Sequence, residues 1–234
     1  PGFDLGLQLK EALDTNPGIR GIMLGGHGLF TWGDTAYECY MNSLEVIEMA
    51  SAYLAENYGK KRPVFGGEKV SSLSPDQRKT QAAKLAPILR GLASSERRMV
   101  GTFNDSDTVL QFINSHDLGK LAPMGTSCPD HFLRTKISPL VLDLASDADL
   151  SDVKGLKEKI GIAFQAYREM YADYYQKHKH HNSPAMRDPN PVVILWPGVG
   201  MFSYAKDKQT SRVASEFYIN AINVMRGAEA VSEY

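Results

Sequence analysis

Cysteine is scarce in this chain. Cys39 and Cys128 are the only two, far apart and in no metal-type spacing. That excludes a disulfide framework and makes a reducing, cytoplasmic setting the expectation. An excess of charge of one sign is also missing. Lys and Arg number 26 against 27 Asp and Glu, so the formal net charge is −1 and no basic field argues for nucleic acid. No apolar run approaches the ~20 residues that a membrane span needs, so no membrane partner is expected. No signal-like segment precedes the first helix. The chain opens on Pro1 rather than Met, as expected of a segment of a longer polypeptide. The composition is ordinary, 43% hydrophobic and 23% charged over 234 residues. One large or two small domains fit that length.

What is present is an alternation of helices and strands. Phe3–Leu13 keeps helical spacing at Leu9, Ala12 and Leu13, and Asn16-Pro17-Gly18 ends it. Ile19–Leu24 reads as a buried strand. Gly25-Gly26-His27-Gly28 then forms a tight turn, since glycine permits positive φ and close backbone approach. It reads as a strand-to-helix turn that presents His27. Asp34 or Thr35 caps a helix from Ala36 to about Asn57, with Tyr40, Leu44, Ile47, Tyr53 and Leu54 broadly on one face. Residues 59–73 read as a linker. Ser74-Pro75-Asp76-Gln77 predicts a capping box opening a helix to about Leu89. Arg98–Phe103 predicts a strand, and Asp105-Ser106-Asp107 a short helix through Ile113. Lys120–Met124 and His131–Lys136 read as extended, and Pro139–Leu144 as a strand. Ser151 is expected to cap a long helix over 152–177, with Leu156, Ile160, Phe164 and Tyr167 in one stripe. Val192–Trp196 is a strand, followed by Pro197-Gly198-Val199-Gly200 and a helix from about Asp207. This order indicates an α/β protein.

Two of these stretches match when the sequence is shifted by 172 residues. Ile22–Trp32 falls on Ile194–Tyr204, apolar on apolar, with Gly26 and Gly28 on Gly198 and Gly200 and Phe30 on Phe202. The chemically decisive difference is His27 against Val199. Duplication of a strand–glycine-turn–helix unit, with loss of the ligand in the second copy, explains this. Chance likeness is the alternative, because glycine-rich turns after strands are common.

His27 is a candidate metal ligand. Catalytic zinc usually takes three protein ligands and leaves one position open, although a lone histidine is more often structural. The stretch His27-Gly28-Leu29-Phe30-Thr31-Trp32-Gly33-Asp34-Thr35-Ala36 closely resembles the C-terminal part of class II (zinc-dependent) sugar-phosphate aldolases and the related adducin head domain. In that family the His of this turn is the last of three zinc-binding histidines, and the resemblance gives His27 that role. The other two come from an upstream His-x-His motif, and the acid/base glutamate also lies upstream. Nothing before residue 27 supplies them, so zinc would be held by His27 plus ligands outside this chain, and the chain alone is expected to be inactive.

Two further motifs, Gly125-Thr126-Ser127-Cys128-Pro129-Asp130-His131-Phe132-Leu133-Arg134-Thr135-Lys136 and Ala214–Tyr234, look like bifunctional rhamnulose-1-phosphate aldolase/short-chain dehydrogenase proteins. The resemblance implies an α/β fold with a class II aldolase-like sheet flanked by helices, and the internal match adds a degenerate repeat of the strand–Gly turn–helix unit. Residues 1–58 would be the C-terminal part of the aldolase/adducin-like domain, 59–73 a linker, and 74–234 a degenerate aldolase-like connecting domain. It implies retro-aldol cleavage of a ketose 1-phosphate, rhamnulose 1-phosphate-like, to dihydroxyacetone phosphate and lactaldehyde. The metal would stabilise the charge that develops on the enediolate oxygens. NAD would be used only by a dehydrogenase domain not present here. A sugar-phosphate substrate and a homo-oligomer are expected. A non-catalytic, adducin-like assembly module is the alternative.

Asp130, His131, Arg134 and Lys136 are the candidate phosphate-binding cluster, since Arg and Lys both suit phosphate. Thr126 and Ser127 would add donors. A solvated strand of alternating polarity is the bland alternative. The tract His178-Lys179-His180-His181 reads as a solvated helix end, its cations facing the negative end of the dipole. Tyr204 and Lys208 have the spacing of a dehydrogenase pair, which is read as chance.

Overall fold

The computed structural model describes residues 2–25, 27–58, 60, 62–126 and 128–232. Gly26 of the first turn and Ser127 of the candidate cluster therefore lie outside the described residues, as do Gly59 and Lys61 of the expected linker. The chain divides into two compact units, Pro1–Tyr58 and Gly59–Tyr234.

In the first unit, α1 (Phe3–Thr15) stops at Asn16, as the Asn-Pro-Gly sequence predicts. Strands β1 (Gly21–Leu24) and β2 (Gly28–Thr31) pair antiparallel, Gly21 opposite Thr31 and Leu24 opposite Gly28. Helix α2 (Ala36–Asn57) starts at Thr35, whose side chain accepts the Glu38 N–H. The glycine turn therefore joins two strands, and the expected strand-to-helix turn is corrected to a hairpin followed by a helix. The reason lies in Leu29-Phe30-Thr31, whose β-favouring residues extend the chain back along β1. The β1 strand, expected to be buried, is half-exposed, with Met23 at 64%. The apolar positions Tyr40, Leu44, Ile47, Tyr53 and Leu54 of α2 are exposed as well. Asn42 is buried on α2, where its Nδ2 donates to the Trp32 carbonyl at 2.7 Å.

The second unit begins by packing. Residues 62–73, read as linker, contain a 3-10 turn, Val64–Gly66, with Phe65 fully buried against Phe112. Helix α3 (Pro75–Ala93) has the capping box at Ser74 and Gln77 that the spacing predicts, and runs through Gly91 to Ala93. There follow β3 (Val100–Asn104), α4 (Asp107–Ile113), α5 (Leu118–Leu121), α6 (Pro129–Thr135) and β4 (Leu140–Val141). The chain closes with α7 (Val153–His178), β5 (Val193–Trp196), β6 (Gly200–Ala205) and α8 (Lys208–Val231). The sheet order is β3-β6-β5-β4, with β4 parallel to β5 and the other pairs antiparallel. One face of the sheet carries Ile194, Trp196, Phe202 and Tyr204 in a core with Leu85, Leu89, Ile160 and Phe164. The other carries Val193, Leu195 and Met201 in a core with Phe112, Tyr218 and Ile222.

Three expectations need correction here. Lys120–Met124 is helical, spanning the end of α5 and a 3-10 turn at Ala122–Met124. His131–Lys136 is helical through Thr135, because Pro129 sits at the first helical position and presets its φ. The cap of α7 is Asp152, which accepts the Gly155 N–H at 2.9 Å, while the Ser151 hydroxyl donates to Asp149 at 2.8 Å.

Phe65→Ala is expected to destabilise the second unit by about 3–5 kcal/mol, the usual cost of emptying a buried aromatic site. Urea unfolding followed by circular dichroism measures this. A loss of a few tenths of a kcal/mol would mean that the segment only tethers.

Candidate functional site

His27 is exposed at the tip of the β1–β2 hairpin, and its backbone N–H donates to the Leu24 carbonyl at 3.1 Å, closing the turn. The same geometry occurs 172 residues further on. The Val199 N–H donates to the Trp196 carbonyl at 3.0 Å, and Val193 pairs with Ser203 as Gly21 pairs with Thr31. The φ of Gly28 is 159° and that of Gly200 is 156°. Thr31 reaches the Cys39 carbonyl at 3.3 Å, and Cys39 Sγ donates back to the Thr31 carbonyl at 3.5 Å. Ser203 and Ser211, the matching positions, make the same reciprocal pair at 2.8 and 2.9 Å. Thr35 caps α2 and Asp207 caps α8. The difference is at the tip, where Val199 is fully buried and His27 is exposed.

An exposed imidazole beside Gly25 and Gly28 is open to a metal ion. The residues present supply only part of a site, because no group of three His, Cys, Asp or Glu among the described residues is arranged to hold an ion. His27 thus fits as one ligand, and no catalytic step follows from this chain's own donors.

The candidate phosphate cluster lies on α6 in the second unit, and the structure divides it. Asp130 is exposed. His131 stacks on Phe217 of α8, with ring centroids 4.2 Å apart. Thr126 donates to the Cys128 carbonyl at 3.4 Å. Arg134 and Lys136 line a cleft of about 500 Å³. Arg97, Arg187 and Lys206 line it too, as do the carboxylates Glu96 and Asp188. Leu133, Met186 and Val192 supply apolar wall. Lys136 is turned inward. Its Nζ lies 3.9 Å from the centre of the Tyr171 ring and donates to the backbone carbonyl of Asp188. Burial pulls the Lys136 ammonium down from 10.5 to about 8. Asp188 and Glu96 oppose that shift, and Arg187 adds to it. Tyr204, half of the dehydrogenase-like pair, is buried and donates to the Ala86 carbonyl at 2.9 Å, while Lys208 donates to Thr102 at 3.1 Å.

The sequence profile described as "Aldolase class II, second domain" matches residues 80–234, and that described as "Class II Aldolase and Adducin N-terminal domain" matches residues 1–54. The chain belongs to the class II aldolase family. A Bacillus subtilis (strain 168) protein named "Uncharacterized oxidoreductase YuxG" is 33% identical over 234 residues. The match takes in 100% of this chain and 33% of that protein, so the chain spans a third of the relative's length. No solved structure matches.

In this aldolase-family chain, three of the cleft's five cations escaped the sequence reading. Arg97 follows α3, Arg187 lies in the 179–192 loop, and Lys206 precedes the Asp207 cap. Each is a loop charge in sequence, and only the packing of distant segments brings them to one cleft.

The Lys136 titration has a stability consequence. Between about 8 and 10.5 the unfolded chain holds a proton at this amine that the folded chain has released. Stability should therefore rise with pH across that window, and Lys136→Met should flatten the rise. Chemical unfolding midpoints measured from pH 7 to 11 check this. Parallel profiles for the two proteins would refute it.

Proposed function

We propose that the chain is part of a bifunctional sugar-phosphate enzyme. One half is a zinc-dependent class II aldolase acting on a ketose 1-phosphate of the rhamnulose 1-phosphate type. The other is an NAD-dependent short-chain dehydrogenase that oxidises the aldehyde released. The observation carrying this reading is His27, an exposed imidazole at a glycine-flanked hairpin tip in a member of the class II aldolase family. The name of the B. subtilis relative supports the oxidoreductase half, and the two thirds of that protein beyond the match leave length for it.

Zinc, when bound, would polarise the oxygens of the ketose phosphate as the carbon–carbon bond breaks. His27 would offer one imidazole, its position fixed by the bond from its own N–H to Leu24. We read the Val199 hairpin as a degenerate duplicate of the His27 hairpin. The shared register, turn bond, cap position and reciprocal hydroxyl or thiol pair support that origin. In the second unit the tip residue has become core.

A non-catalytic assembly module remains the second reading, favoured by the exposed aromatic and aliphatic side chains along α2. Exposed apolar surface of that kind marks contact with another protein surface, which also fits a homo-oligomer.

The full-length protein carrying this segment tests the choice. Wild type should hold zinc and cleave rhamnulose 1-phosphate. His27→Ala should lose the metal and slow cleavage about 100-fold or more, with oxidation of added lactaldehyde unchanged. Metal analysis, aldehyde release and NADH formation are the readouts. Full cleavage activity in His27→Ala would overturn the aldolase role of His27 and favour the assembly reading.

A further inference from the structure

We infer that the cleft lined by Arg134 and Lys136 binds a small phosphate ester carrying hydroxyl groups, with Lys136 as its central cation and Asp188 as the acceptor of a ligand hydroxyl. Lys136 carries backbone strain. It ends α6 at φ 68°, ψ −179°, a region in which glycine is the unstrained residue. Glycine would close the helix at lower cost, so a lysine held there is selected for its side chain. That side chain is not spent on solvent, since it reaches over Tyr171 into the cleft wall.

Charge is concentrated around it. Arg97, Arg134, Lys136, Arg187 and Lys206 line one cavity together with Glu96 and Asp188. The excess is cationic, and guanidinium groups pair with phosphate in two-point fashion. One acceptor of the cleft residues is orphaned. Asp188 Oδ1 accepts the Asn190 N–H at 2.8 Å, while its Oδ2 is buried and has no hydrogen-bond partner among the described residues. A buried acceptor of this kind is normally satisfied, and a ligand hydroxyl supplies the missing donor. The cleft's volume, about 500 Å³, is that of a small-molecule site, and Leu133, Met186 and Val192 give a carbon skeleton apolar wall.

The groups facing Lys136 are Glu96 from the segment after α3, Arg187 and Asp188 from the loop before β5, and Tyr171 from α7. A dianion placed among them favours the charged amine. The site uses neither His27 nor zinc and does not rest on the retro-aldol reading.

The test measures binding of inorganic phosphate and of glycerol 3-phosphate to the chain, by calorimetry in a chelating buffer free of zinc. Wild type should bind glycerol 3-phosphate with a dissociation constant below about 1 mM, and more tightly than inorganic phosphate. Lys136→Gly should weaken both by about 10-fold or more while melting no lower than wild type, because it removes the strain together with the cation. Asp188→Asn should erase the preference for glycerol 3-phosphate. Wild-type binding should also weaken as pH rises past about 8, where Lys136 loses its proton and the arginines keep theirs. Absence of saturable binding by wild type overturns the proposal. So does a Lys136→Gly chain that binds as well as wild type but melts lower, which would make Lys136 a structural residue. Equal affinity of wild type for the two probes overturns the role of Asp188.

Discussion

The backbone ladder between β5 and β6 is the contact on which the second unit depends. Every residue of both strands is buried, so each N–H and C=O not paired in the sheet would lose its water without compensation. Antiparallel pairing along the hairpin meets that demand and leaves the strands' outer edges for β3 and β4. Alternation then assigns side chains to two cores without further instruction. At the tip, Asn114 clamps the turn. Its Oδ1 accepts the Gly198 N–H at 2.6 Å, its Nδ2 donates to Ser72 at 2.7 Å, and its carbonyl accepts the N–H groups of Lys69 and Val70. A Cβ on Gly200 would stand 2.6 Å from the Phe103 ring, so glycine is required where β3 crosses close.

The His27 hairpin has the same internal geometry in a different setting. Register, turn bond and helix cap are local properties, carried by short stretches that are alike in kind at most positions. Burial is not local. The Val199 hairpin is enclosed by helices on both faces, whereas β1 and β2 are half-exposed within the described residues. One backbone device thus supports an exposed imidazole in one unit and a buried valine in the other. The tip residue follows its surroundings: an apolar side chain stabilises a sealed turn, and a polar one suits an open turn.

This division also explains what could be read from the sequence. Helix ends written in short codes were legible: Asn16-Pro17-Gly18 after α1, Thr35 before α2, and the Ser74–Gln77 box before α3. The α7 stripe of Leu156, Ile160, Phe164 and Tyr167 was legible because its period survives into the core. The second strand of each hairpin was not, since Gly28–Thr31 is too short to declare a period and the helix beyond it dominates the pattern. Segment 131–136 misled for a related reason. Alternating polarity in six residues suits a strand or a short amphipathic helix equally, and packing of α6 on α8 decides. Arg134 and Lys136 could be picked out by their chemistry, but their partners Arg97, Arg187 and Lys206 are loop charges in sequence and wall residues only in the fold.

The cleft inherits its shape from the same hairpin. Val192 leads into β5, Ala205 ends β6, and Lys206 follows it, so the end of the ladder opposite the tip forms one wall. The α6 wall is held by the packing of α6 on α8, where His131 stacks on Phe217. The ladder fixes one side rigidly, and the helix it supports presents the other. Lys136 sits at the junction, in a backbone conformation that a lysine tolerates only at a cost of about 1–3 kcal/mol. A buried ammonium adds an electrostatic cost, visible in its lowered pKa. Two penalties at one residue run against stability alone. They are consistent with a residue kept for what it meets in the cleft, on a scaffold stable enough to hold it there.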